Sequence, residues 1–155
     1  MLNKQEIEKI KAETKTFFEK MGFEVELEFP SQKGDALQIK ITMEAPQPLI
    51  GRGGMTLVKL QRLLGVVLKR KIKTEEEFFI DLDINNYKEK KIEYLKELAQ
   101  RTADEVSLTR EERVLSSMPA FERRIIHLEL ADRRDVATES MGREPQRSVV
   151  IRPYP

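Results

Sequence analysis

Leu49-Ile50-Gly51-Arg52-Gly53-Gly54-Met55-Thr56-Leu57 is the stretch on which the fold turns. Glycine fills positions 51, 53 and 54, after an aliphatic pair and before an apolar-periodic run. The pattern predicts a tight loop opening directly onto a helix. Without a Cβ, glycine lets backbone N–H groups approach a ligand closely. The free N–H groups and dipole of the helix that follows favour an anion such as phosphate. Arg52 adds a charged donor. A tight turn that uses glycine for geometry alone has the same spacing. A P-loop needs Gly-Lys-Ser/Thr at the helix start, and this chain has Gly54-Met55-Thr56, so nucleotide hydrolysis is not expected. A dinucleotide fingerprint is not expected either, because no suitable parallel βαβ unit is readable around the loop.

Downstream, the helix is predicted from about Met55 to Arg70. On a wheel of ~100° per residue, Leu57, Leu60, Leu63, Leu64, Val67 and Leu68 share one arc, with Lys59, Arg62, Lys69 and Arg70 opposite. Gly65 is a mild weakness in that helix. From Arg52 to Lys73 every charged residue is basic: Arg52, Lys59, Arg62, Lys69, Arg70, Lys71 and Lys73. Such a stripe can guide a phosphate backbone to one face. A solvated helix face has the same composition.

Upstream, Ile7, Ile10, Thr14 and Phe17-Phe18 recur at helical spacing and predict a helix from Lys4 to Lys20, stopped by Met21-Gly22. Phe23 to Phe29 alternates as a half-buried strand does, and so does Leu37 to Met43. The two are expected to pair antiparallel across a turn-rich loop at Pro30 to Asp35. Ala45-Pro46-Gln47-Pro48 leaves room for about one helical turn before the glycine loop. A third strand is predicted at Phe78 to Ile84, with Phe78, Ile80, Leu82 and Ile84 on one face.

Asn85-Asn86 marks an expected boundary and helix cap. A charged helix follows from about Tyr87 to Val106, striped by Ile92, Leu95, Leu98-Ala99, Thr102-Ala103 and Val106. Thr109-Arg110-Glu111-Glu112 matches a capping box and predicts a short helix ending near Ser116-Ser117. Three strands are then expected. In the first, Arg124, Ile126, Leu128 and Leu130 alternate with Arg123, Ile125, His127 and Glu129, which turns Arg123 and His127 to one outer face. The others run from Asp135 to Ser140 and from Ser148 to Arg152, joined by Gly142-Arg143-Glu144-Pro145-Gln146.

Composition bounds the rest. The 155 residues suit one ordinary domain or two very small ones. The chain is 39% hydrophobic and 35% charged, which suits small domains with much surface. Its net charge of +1 makes no case for nucleic acid, so only the distribution of charge does. No stretch approaches the ~20 apolar residues of a membrane helix, and the first residues lack the apolar stretch of a secretory signal. There is no cysteine and one histidine, so thiolate chemistry is excluded and a zinc site is not expected. No metal or other cofactor is predicted.

The glycine string resembles the GXXG signature of KH domains, which clamp about four nucleotides of single-stranded RNA. Met118-Pro119-Ala120-Phe121-Glu122-Arg123-Arg124-Ile125-Ile126-His127, with the tail from Val136 to Ile151, resembles a small domain family named for an arginine and a histidine separated by three residues, here written RxxxH. On its spacing alone the pair reads more readily as packed or surface residues than as functional ones. KH followed by RxxxH resembles the bacterial Jag family, also called KhpB, over nearly the whole chain.

That resemblance implies an α+β chain of two small domains. Residues 1–86 would form a KH-like helix-and-three-stranded-sheet domain, and 87–155 an RxxxH-type domain with two helices and a three-stranded sheet. It implies a cytoplasmic, non-enzymatic protein that binds single-stranded RNA and is linked to cell elongation or division. A small single-KH protein is an expected partner. Many relatives carry a further N-terminal Jag region, whose functions are not carried over. The candidate RNA contacts are Ile50, Gly51, Arg52, Gly53, Gly54, Lys59, Arg62, Arg123, His127, Arg143 and Arg147. Arg123 would pair with phosphate, and His127 would stack on a base or bond the backbone.

Two other classes stay open at this level. A protein-interaction module would use the same sheets and helices with an idle glycine loop. An enzyme could draw on Ser116-Ser117, Asp132, Asp135 and His127, but no spacing sets a nucleophile beside a base. Glu75-Glu76-Glu77 reads as a solvated acidic turn rather than a cation site.

Overall fold

A computed structural model describes residues 2–30 and 36–155. The loop expected at Pro30 to Asp35 lies, from Ser31 onward, outside the described residues. The chain is α+β and divides by its internal packing into two units, Met1–Lys88 and Glu89–Pro155. Among the described residues no helix is long and apolar enough to cross a membrane.

The first unit opens with α1 (Lys4–Lys20). Asn3 and Glu6 form a reciprocal capping box at its start, at 2.8 and 2.9 Å. Ile10, Thr14 and Phe18 face inward, and the Thr14 hydroxyl donates to the Ile10 carbonyl at 2.7 Å. β1 (Glu26–Glu28) is shorter than its alternation suggests, although Phe23, Val25, Leu27 and Phe29 still pack against the core. It pairs antiparallel with β2 (Ala36–Thr42), Leu27 opposite Ile41. β2 in turn pairs parallel with β3 (Phe79–Ile84), Ile39 opposite Leu82.

Between β2 and β3 run the four-residue α2 (Gln47–Ile50), a 3₁₀ turn at Arg52–Gly54 and α3 (Met55–Ile72). A parallel crossover therefore does surround the glycine loop, contrary to the sequence reading. Antiparallel and parallel strands carry the same two-residue period, so alternation does not distinguish them. The loop is still not the direct strand-to-helix turn of a dinucleotide site, because α2 intervenes.

Leu57, Leu60, Leu64 and Leu68 of α3 are buried against the sheet, where Phe78, Ile80, Leu82 and Ile84 meet them. Leu63, expected in that stripe, is exposed instead. Asn85 is not a helix cap. Its amide bonds both the N–H and the C=O of Met43, at 2.9 and 2.8 Å, and so extends the β2–β3 pairing beyond the last strand residue. The first turn of α4 (Tyr87–Thr109) is served instead by Asp83, whose carboxylate accepts from Lys88 N–H at 3.2 Å.

In the second unit, Leu95, Ala99, Ala103 and Val106 of α4 form the core with Met118, Ile126, Leu130, Val149 and Ile151. The capping box expected at Thr109 does not start a helix. Thr109 ends α4, its hydroxyl donating to Glu105 C=O at 2.9 Å, and the chain enters the short β4 (Arg113–Val114). The second helix is α5 (Ala120–Glu129), where a strand was expected. β5 (Val136–Met141) and β6 (Ser148–Pro153) complete an antiparallel sheet of order β4-β6-β5.

Candidate functional site

The glycine loop is built from positive backbone angles. Gly51, Gly53 and Gly54 have φ of 72°, 59° and 81°, a region that side-chain-bearing residues enter at a cost. At two of them space is also closed. A Cβ on Gly51 would lie 2.1 Å from the Thr56 hydroxyl, and one on Gly54 would lie 2.8 Å from the Tyr87 ring. Gly53 faces open space. Arg52 and Gly53 are exposed, and Ile50 is buried beneath them at 7% exposure. Ile50 thus anchors the loop from the core side, whereas Arg52 and Gly53 form its outer face. The N-cap of α3 is Gly54, which has no capping side chain, and the first N–H groups of the helix are directed toward the loop.

Next to the loop, α3 and β3 enclose an open groove. Val58, Gln61, Arg62, Gly65, Val66 and Lys69 line it from α3, and Phe79 and Ile80 from β3. Val58, Val66 and Phe79 each expose half or more of their surface. The Lys69 ammonium lies 5.2 Å from the Phe79 ring centroid, in cation–π reach. The floor is therefore apolar and the rim cationic. Of the predicted basic stripe, Arg62 and Lys69 reach this groove. Lys59 is exposed beside it, and Lys71 is turned away to pair with Glu13 at 3.3 Å.

Sequence reasoning missed Gln61, Val66 and Phe79 as site residues. The available signal was a second apolar pair, Val58 and Val66, on the side of α3 away from its leucines.

Arg123 and His127 do share a face, but of a helix rather than a strand. Residues i and i+4 meet on a helix as i and i+2 do on a strand. Arg123 is buried at 6% exposure. Its guanidinium donates to the Met118 carbonyl at 2.7 Å and to Glu144 at 2.8 Å. The expectation that it is accessible is thus corrected. It ties the entry of α5 to the β5–β6 connection, which carries the exposed Arg143 and the half-buried Arg147.

The half-buried His127 ring lies between two hydroxyls of β5. Thr138 is 2.7 Å from Nδ1 and Ser140 is 2.7 Å from Nε2. Both nitrogens are engaged and neither faces a carboxylate. The third member that would orient a Ser–His nucleophile is therefore missing among the described residues. Asp135, another residue weighed for chemistry, is bonded to Arg133, which holds its carboxyl well below the usual range.

Burial, and then the Arg123 charge, push the His127 pKa below its ordinary value. Unfolded histidine takes up a proton near pH ~6.5 and the folded chain resists it. The stability this group contributes is present above that pH and is lost as pH falls through the folded value. The loss of thermal stability between pH 7 and pH 5 should accordingly be smaller in His127→Asn than in the parent. As the only histidine, His127 also gives a single imidazole Cε1–H signal. A titration midpoint at or above 6.5 in that signal would contradict the assignment.

A family model described as the R-3-H domain, the arginine–histidine family anticipated above as RxxxH, matches residues 93–153. An RNA-binding protein KhpB of Lactiplantibacillus plantarum is 41% identical over 103 residues, 66% of this chain and 31% of that protein. One from Clostridium symbiosum is 39% identical over 103 residues, 66% of this chain and 46% of that protein. One from Bacillus subtilis is 36% identical over 113 residues, 72% of this chain and 53% of that protein. The chain thus spans about a third to a half of the length of these relatives.

Proposed function

Because the chain belongs to the KhpB (Jag) family and carries an RxxxH domain over residues 93–153, we propose that it binds single-stranded RNA through both of its units. The observation that carries this is the α3–β3 groove beside the glycine loop, with its apolar floor and cationic rim. Splayed bases bury their faces on such a floor, while phosphates meet the N–H groups and cations at its edge. In this reading residues 1–86 are a KH domain and Gly51-Arg52-Gly53-Gly54 is its phosphate-facing loop. Ile50 braces the loop, and Lys59 and Arg62 continue the positive track.

In the RxxxH half, residues 87–155, His127, Arg143 and Arg147 are the contacting groups. Arg123 acts through Glu144 by holding the connection that presents the two arginines. The cellular role that fits is post-transcriptional regulation in the cytoplasm, linked to elongation or division, with a small single-KH protein as partner. Those parts rest on family resemblance alone.

Gly65 provides the test. Glycine inside a helix costs about 1 kcal/mol relative to alanine, and here the fold does not require it. A Cβ at Gly65 would lie 3.9 Å from Ile80 Cγ1, an ordinary van der Waals distance. What the missing side chain does is keep the groove wall open. Gly65→Ala should raise stability in urea by about 0.5–1 kcal/mol. Gly65→Leu should stay folded and bind labelled single-stranded RNA about fivefold or more weakly, the loss of roughly one stacked base. Undiminished affinity in Gly65→Leu would remove RNA from this groove.

A further inference from the structure

We propose that Gln61 is the base-reading group of the groove and that it selects cytosine. The inference rests on the groove being the RNA site. In the sheet order β1-β2-β3, β3 is an edge strand, so alternate N–H groups along it point away from β2. One of these, Leu82 N–H, donates to Gln61 Oε1 at 2.9 Å. The Lys88 ammonium donates to the same oxygen at 3.3 Å, and Asp81 holds Lys88 in place.

A backbone N–H and an ammonium can only donate, so the amide atom facing them has to be the oxygen. The orientation of the amide is thereby fixed. Its Nε2 has no hydrogen-bond partner among the described residues and keeps two donor hydrogens on a half-buried side chain that lines the groove. The other polar side chains lining it, Arg62 and Lys69, are donors as well. Among the described residues that line the groove, no side chain offers a free acceptor.

The side chains of this groove therefore ask an entering base for acceptors. Cytosine presents N3 and O2 side by side on its Watson–Crick edge. Adenine offers N1 alone, between its amino group and C2–H, and so lacks the second acceptor that cytosine O2 supplies. Uracil places N3–H between its two carbonyls, and guanine presents N1–H beside an amino group. Apolar packing on Val58, Val66 and Phe79 suits any base, because every base has a π-face. Among the side chains, discrimination then falls on Gln61. Arg62 and Lys69 are exposed, so they suit phosphate rather than a base edge.

The experiment compares binding of short labelled oligocytidine and oligoadenosine to the whole chain by fluorescence anisotropy, with R52D/G53D as the control for binding outside the groove. The parent should favour oligocytidine by at least about fivefold, the lower range for a well-made base contact. Gln61→Glu keeps an oxygen for Leu82 and Lys88 but removes the donors, and should bring the preference to about unity or reverse it. Gln61→Met removes the donors without adding charge and should give a ratio near unity, with oligoadenosine affinity changed less than about twofold. Circular dichroism melts check folding of both variants.

A preference that persists in both variants overturns the role of Gln61. So does a parent that binds the two oligomers equally while R52D/G53D binds neither; the groove reading then stands. Binding undiminished both in R52D/G53D and in Gly65→Leu removes RNA from the groove, and this inference falls with it.

Discussion

Replacing Arg52 and Gly53 together by aspartate is expected to leave the chain folded and to weaken single-stranded RNA binding at least about tenfold at low salt. The geometry makes this pair the right choice among the loop residues. Gly51 and Gly54 cannot accept a side chain without displacing Thr56 or Tyr87. Gly53 has nothing within 4 Å of a built Cβ, and its φ of 59° lies where aspartate is better tolerated than most residues. Arg52 is exposed. The double substitution thus removes one positive charge and adds two negative ones at the surface, and it leaves the core packing as it was. Anisotropy with labelled RNA at several salt concentrations reads the affinity, and far-ultraviolet circular dichroism reads the fold. A folded variant with parental affinity would exclude this loop from the interface.

Arg123→Ala is expected to destabilise the second unit by about 2–4 kcal/mol, a severe effect for a single site. The guanidinium is buried and bonds the Met118 carbonyl and Glu144 at once. Truncation leaves a carbonyl without its partner and a void where the side chain lay. Glu144 is more than half exposed, so its carboxylate returns to water and the full penalty of a stranded buried charge does not apply. Arg123→Lys should recover only a small part, because an ammonium lacks the planar fork that reaches both partners. Urea unfolding monitored through the second unit measures the loss. A change below about 0.5 kcal/mol, the ordinary size for a surface substitution, would mean that Arg123 has no anchoring role.

Arg123 also illustrates what the sequence could not decide. In the run from Arg123 to Leu130, apolar residues at 126, 128 and 130 alternate, so a two-residue period fits. The helical period fits as well, with Arg123, Ile126 and Leu130 inward and Phe121, Arg124 and Leu128 outward. Only packing separates the two, and it favours a helix in which arginine takes an inward place that hydrophobicity would assign to leucine. Ala120, Glu122, Arg123, Arg124 and Leu128 are all good helix formers, a cue that points the same way.

By contrast, α1, α3, β2 and β3 were legible because each carries one period and no other. The glycine loop was legible because positive φ demands that residue type. The groove was not. It depends on which face of α3 lies against the edge of β3, and that is set by the β2–β3 pairing rather than by any local pattern. Asn85 was misread for a related reason. A short amide side chain caps helices and also mimics a strand residue, and the partner that decides, Met43, is 42 positions away.

The packing of Gly54 against the Tyr87 ring has an optical consequence. The chain has no tryptophan and three tyrosines, so its emission on excitation to the red of phenylalanine absorption belongs to Tyr87, Tyr94 and Tyr154. One of the three has its ring directly behind the loop on which a phosphate would settle. Any rearrangement of that loop alters the surroundings of this fluorophore, and nucleobases close by drain its excited state. The fold thus carries a native, label-free reporter at the place where occupancy matters most, and Tyr87→Phe would silence that contribution while leaving the other two as an internal reference.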